Sequence, residues 1–122
     1  MCKQYRYIFN DESLEIPRGL VDEGETVKNA AIRELKEETG IDTADIKYIG
    51  SLRTSIGFLD EEVALFLTRE FTAPTHFIDE TNEIDKVIEL PLPKVLALIM
   101  DGKIIDGLTV SAILKVNQLL HR

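Results

Sequence analysis

Apolar and polar positions alternate in short runs along most of the chain, and one stretch follows a helical period. Tyr5-Arg6-Tyr7-Ile8-Phe9 predicts a strand over 5–9, ended by the turn pair Asn10-Asp11. Residues 13–16 predict a short extended piece stopped by Pro17, and 18–25 a loop with two glycines. The clearest helix covers 26–39, with Thr26 as N-cap and Gly40 where a left-handed C-cap belongs. Strands are predicted over 46–54 and 62–71, joined by Ser55 to Asp60, with Val63, Leu65 and Leu67 on one side and Ala64, Phe66 and Thr68 on the other. Residues 72–83 read as polar loop and 84–90 as a further short strand. After Pro91 and Pro93, helices are predicted over 94–100 and 108–120, the second with Leu108, Ile113, Val116, Leu119 and Leu120 as its apolar face. Strands interleaved with helices, without internal repeat or linker, predict one α/β or α+β domain over 1–122.

Composition narrows the function classes. The 122 residues suffice for one domain. Acidic residues outnumber basic ones 22 to 14, a net charge of −8. That balance disfavours nonspecific binding to nucleic acid or to an anionic membrane, both of which need clustered Lys and Arg. A phosphorylated ligand would need a divalent cation to offset the repulsion. Cys2 alone permits neither an intramolecular disulfide nor a multi-cysteine metal site, which fits a reducing cytoplasm. No apolar run predicts a transmembrane helix or a signal peptide. His76 and His121 stand apart, without a partner at metal-ligand spacing.

The chemistry concentrates between Gly19 and Ile41. At helical spacing Glu34 and Glu38 share one line with Glu37 beside it, and Val27, Ala31 and Leu35 form the bordering apolar stripe. Like charges at this spacing repel. Arg33 relieves part of that repulsion by pairing with Glu37 one turn on. Carboxylate clusters suit Mg²⁺ or Mn²⁺, hard cations that also bind phosphates. A Glu-rich helix by itself is more often simply a solvated face.

The flanking positions add more. Gly19, five residues, Glu25, seven residues, then Arg33-Glu34-Leu35-Lys36-Glu37-Glu38-Thr39-Gly40-Ile41 matches every defined position of the Nudix box. The chain therefore resembles the Nudix hydrolases. The resemblance implies a mixed β-sheet between helices and Mg²⁺-dependent attack of water on a nucleoside diphosphate linked to another moiety. It implies Glu34 and Glu38 as metal ligands and Glu37 as a ligand or a carboxylate acting just behind them. A backbone carbonyl of Arg18 or Gly19 would complete the metal shell. Arg33 and Glu25 would orient the ligands and close the loop onto the helix. Gly40 offers a cheap positive φ and Gly19 permits close approach.

Outside the box, Lys3 to Gly19 resembles the lead-in of the ADP-ribose and ADP-sugar pyrophosphatases, and Ser55-Ile56-Gly57-Phe58 with Asp60-Glu61-Glu62 resembles a later segment of that branch. The tail, with Leu90-Pro91-Leu92, Gly102-Lys103-Ile104 and Asp106, resembles it too. By this resemblance Glu80 or Glu83 would activate water, unless their loop is simply a solvated acidic one. Tyr5, Arg6 and Arg18 would bind substrate, although Tyr5 and Arg6 also fit a plain strand. Phe58 would line the cleft or cover the sheet, the second being preferred. The proline that marks the ADP-ribose group, about fifteen residues past the box, is replaced by Ile56. Relatives carry a segment upstream of the first strand, so a shortened sheet with an exposed edge, covered in a homodimer, is expected. The functions in competition are ADP-ribose or nucleotide-sugar hydrolysis, nucleoside triphosphate or dinucleoside polyphosphate hydrolysis, and nucleotide binding without catalysis.

Overall fold

The computed structural model describes residues 1–74, 84 and 86–122. The chain divides into two units: Met1–Ile16 with the described part of Asp79–Arg122, and the described part of Pro17–Ile78.

In the first unit, β1 (Cys2–Arg6) lies between β2 (Asp11–Glu15) and, in the numbering used here, β5 (Lys86–Val87), with both pairings antiparallel. The register sets Cys2 opposite Glu15 and Arg6 opposite Asp11. Because successive strand residues face opposite ways, Cys2, Gln4 and Arg6 share one face with Glu15, while Tyr5 takes the other. Cys2, Gln4 and Glu15 are buried. The buried Glu15 carboxylate is met by Arg6 through two bonds, Nε to Oε2 at 2.8 Å and Nη2 to Oε1 at 2.5 Å. Burial of a carboxylate requires such a partner.

The strand expected over 5–9 instead stops at Arg6. Residues 7–10 form the hairpin turn, in which the N–H groups of Phe9 and Asn10 donate to the carbonyls of Arg6 and Tyr7. Asn10 takes φ 51°. Its tolerance of the left-handed region makes the turn possible there. The alternation of Tyr7, Ile8 and Phe9 looked strand-like, but the turn takes these residues out of the ladder and leaves all three exposed.

The same unit holds α2 (Leu92–Met100) and α3 (Gly107–Leu120). A proline opens α2, where a missing N–H costs nothing. Asp106 caps α3 by accepting from the Thr109 N–H at 3.0 Å and from its hydroxyl at 2.6 Å. Thr109 Oγ1 in turn accepts the Ile16 N–H at 3.1 Å. Thr109 and Ala112 are the buried positions of α3, whereas Leu120 of the expected apolar face is exposed. A satisfied threonine thus occupies the core where the hydrophobic pattern pointed to leucines. Val95, Ile104 and Ile84 of this unit are buried as well.

The second unit holds α1 (Val27–Thr39), β3 (Asp42–Arg53) and β4 (Glu62–Thr72). The last two pair antiparallel, with irregular register between Asp42 and Gly50. Both strands extend beyond their expected starts or ends. Thr43 explains part of this: its hydroxyl donates to the Glu70 carbonyl at 2.7 Å, bridging the irregular end of the ladder. Tyr48 and Phe66 meet edge to face across the strands. Ile46 and Leu65 are buried, as are Ala30 and Thr39 of α1. Val27, expected on the apolar stripe, is about half exposed. The α+β character expected from the sequence is present, and the described strand pairings are antiparallel.

Candidate functional site

The site is built on α1 and on the loop before it. Thr26 accepts the Asn29 N–H at 3.1 Å, satisfying one orphan donor of the first turn. Gly40 ends the helix at φ 74°, and its N–H reaches the Lys36 carbonyl at 2.8 Å. These caps fix the ends of the helix that carries the second half of the acidic motif.

Arg33 is the hub of the loop. Its Nε donates to Glu25 Oε2 at 2.8 Å and its Nη2 to Glu25 Oε1 at 3.0 Å. Nη2 also reaches the Leu20 carbonyl at 2.8 Å. Nη1 is shared by Glu34 Oε1 at 2.9 Å and Glu37 Oε2 at 3.1 Å. Asp22 Oδ2 lies 3.4 Å from Nη2. The planar guanidinium can serve so many acceptors because its five N–H groups form a fixed fork. The hydrogen bonds from Arg33, and then the Asp22 N–H, hold the Glu25 carboxyl below the usual carboxylate range. Glu25, and then Glu34, push the Arg33 pKa upward.

Two carboxylates from the helix lie against the loop backbone. Glu38 Oε2 accepts the Arg18 N–H at 2.7 Å. The Glu34 carboxylate fills the space beside Gly19 where any other residue would carry a Cβ atom. Gly19 does not take positive φ, unlike Gly24 and Gly40, so what this position requires is the absence of a side chain.

The candidate donors on α1 are carboxylate oxygens, the chemistry a hard divalent cation takes. The space left at Gly19 admits one of those carboxylates to the loop. As placed, however, no three His, Cys, Asp or Glu side chains among the described residues are gathered so as to hold a metal ion. Arg33 is bound to two of the three helix acids, and Glu37 is the most exposed of them.

The other candidates fall elsewhere. Glu80 and Glu83, and His76, lie outside the described residues. Tyr5 and Arg6 sit on opposite faces of their sheet, and the Tyr5 hydroxyl bonds Asn10 Oδ1. Phe58 is 93% exposed, so it does not cover the sheet as preferred from the sequence. It lines an open hollow of about 450 Å³ formed by Arg53 and residues 56–62. The linear pattern missed Glu15, Asp22 and the Leu20 carbonyl as partners. For Glu15, a lone acid between Leu14 and Ile16 was the available signal.

The NUDIX domain model matches residues 1–106, spanning most of both units. A methanol dehydrogenase activator of Bacillus methanolicus is 35% identical over 115 residues, 93% of this chain and 62% of that one. An ADP-ribose pyrophosphatase of Bacillus subtilis is 35% identical over 118 residues, with the same coverage. A crystal structure of an ADP compounds hydrolase superposes with TM-score 0.83 at 26% identity, over 98% of this chain and 64% of that one. The chain spans a little over three-fifths of the length of these curated relatives. Matched over residues 1–106 and carrying the acidic motif on α1 and the loop before it, this chain belongs to the Nudix domain family.

Proposed function

We propose that the chain, as a single Nudix domain, hydrolyses the pyrophosphate bond of a nucleoside diphosphate joined to another moiety, ADP-ribose or a related nucleotide sugar. The observation that carries this reading is the convergence of Glu34 and Glu38 on the backbone of residues 18–19. The similarity to proteins named ADP-ribose pyrophosphatase and ADP compounds hydrolase supports the substrate class. Glu34 and Glu38, with Glu37 and the carbonyl of Arg18 or Gly19, would hold Mg²⁺ or Mn²⁺. When bound, such an ion offsets phosphate charge and acidifies water. Arg33 orients Glu34 and Glu37 and, through Glu25, ties the loop to the helix. Glu80 or Glu83 accepts the proton of the attacking water. Arg18 and Phe58 contact the nucleotide, and of Tyr5 and Arg6, which face opposite ways on their sheet, one does.

The test is release of AMP from ADP-ribose in Mg²⁺, compared with Glu38→Gln. A fall of about a hundredfold is expected, and equal rates would remove Glu38 from the metal site. Ile56, in place of the marking proline, favours a second reading in which triphosphates or dinucleoside polyphosphates are cleaved. A substrate panel separates the two, and nucleotide binding by calorimetry without turnover would mark a non-catalytic domain.

Homodimerisation in the cytoplasm belongs to the same proposal. The exposed Tyr7, Ile8 and Phe9 support a partner surface, and the single, buried cysteine, Cys2, fits a reducing compartment. No helix among the described residues is long and apolar enough to cross a membrane. A stable folded monomer at micromolar concentration in analytical ultracentrifugation would overturn the dimer.

A further inference from the structure

We infer that Glu15 is a positioning residue that holds the Arg6 guanidinium as a fork for a phosphate group of the nucleotide, so that Arg6, not Tyr5, is the strand residue that meets the ligand. The inference rests on the proposed nucleotide reading and names the group this part of the chain recognises. Arg6 lies opposite Asp11 and Glu15 opposite Cys2, with Gln4 and Ser13 paired between them. The two charged side chains meet over that intervening pair, through Nε to Oε2 at 2.8 Å and Nη2 to Oε1 at 2.5 Å. The pair has an inner and an outer end: the Glu15 side chain is 2% exposed and that of Arg6 42%.

A carboxylate buried this deeply carries a desolvation cost that an apolar residue in the same place avoids. What the carboxylate adds is direction. Two parallel bonds fix the plane of the guanidinium, so the rotamer freedom that an unanchored arginine loses on meeting a ligand is already lost on folding. Planar, two-point contact is what arginine offers a phosphate and lysine does not. Glu15 also offsets the charge of Arg6, but at the exposed end salt and water screen that effect while geometry acts at contact. The strand end that carries Glu15 is anchored in turn. The Ile16 N–H donates to Thr109 Oγ1 at 3.1 Å, and the buried Thr109 hydroxyl donates to Asp106 Oδ2 at 2.6 Å. On the opposite face, the hairpin turn engages Tyr5: its hydroxyl bonds Asn10 Oδ1 and its ring meets Tyr7 edge to face at 5.0 Å.

The experiment measures ADP binding by calorimetry at fixed Mg²⁺, with urea midpoints alongside, for the whole chain and for Glu15→Gln, Arg6→Lys and the pair Arg6→Met with Glu15→Leu. Glu15→Gln, which keeps the shape but presents an amide to the fork, should weaken ADP binding about fivefold, and Arg6→Lys about tenfold. The paired apolar change separates positioning from support of the fold. It removes one cation and one anion, leaving the net charge at −8, and fills the place by packing. It should nevertheless bind ADP about tenfold more weakly than wild type. Wild-type affinity in the paired variant or in Glu15→Gln overturns the inference, as does absence of ADP binding by wild type. Should the paired variant fail to fold, Arg6→Lys decides: its expected loss of affinity supports the inference and wild-type affinity overturns it. ADP binding that depends on the pair, without release of AMP from ADP-ribose, supports the inference while removing the hydrolytic reading.

Discussion

Arg33 grips Glu25 across eight residues through two parallel hydrogen bonds, at 2.8 and 3.0 Å, and so closes residues 20–25 onto the first turns of α1. The pair joins the isolated glutamate of the motif to its helical part. Lysine in place of Arg33 keeps the charge but offers a single point donor. Arg33→Lys should therefore lower the midpoint of urea denaturation, because the two-bond grip on Glu25 is reduced to a single contact. It should also speed proteolysis within 20–25, while Arg33→Lys with unchanged cleavage would show that the fork does not hold the loop.

The same pair sets an acid dependence. The Glu25 pKa is lowered from its usual 4.5 by the Arg33 hydrogen bonds. A lowered folded-state value means that the unfolded chain binds the proton first as pH falls. The contribution is complete above about 4.5 and is lost as pH drops through the lowered folded value. Glu25→Gln should flatten that acid limb of stability and leave the neutral region parallel to wild type. An unchanged acid limb in thermal melts from pH 6 to pH 3 would exclude Glu25 as a contributor.

Glu15 and Arg6 test the cost of a broken pair. Arg6→Ala leaves a buried carboxylate with its main cation removed, at an expected cost of about 2–4 kcal/mol, reduced from the fully buried case because Arg6 is partly exposed. The double change Arg6→Met with Glu15→Leu should recover most of that loss, since the apolar pair needs no desolvation of charge. A double variant no more stable than Arg6→Ala would place the cost in packing rather than in the loss of the Arg6–Glu15 pair.

Gly40 tests the C-cap of α1. At φ 74° Gly40→Ala pays about 1–2 kcal/mol of backbone strain and should leave Mn²⁺ affinity within twofold of wild type. Melting temperature and Mn²⁺ titration on the same samples decide it. A large loss of affinity in Gly40→Ala would show that the C-cap also shapes the metal site.

The sequence alone determined α1, its caps and the order of its acids, because a 3.6-residue period and end signals at Thr26 and Gly40 are local properties. It also placed Glu34, Glu37 and Glu38 near one line of the helix and paired Arg33 with Glu37. The tertiary structure decided what each acid faces. Glu38 reaches the Arg18 N–H, and Glu34 fills the space at Gly19, through a loop whose path no spacing rule contains. It decided as well that Glu15 and Arg6 meet on one sheet face, because a hairpin register links residues nine apart. It left Phe58 outside the core, since a loop residue's burial depends on what packs over it and not on its own hydrophobicity. Periodicity and capping are encoded by neighbours in the chain, whereas seating a carboxylate against a glycine requires two segments to be brought together by folding.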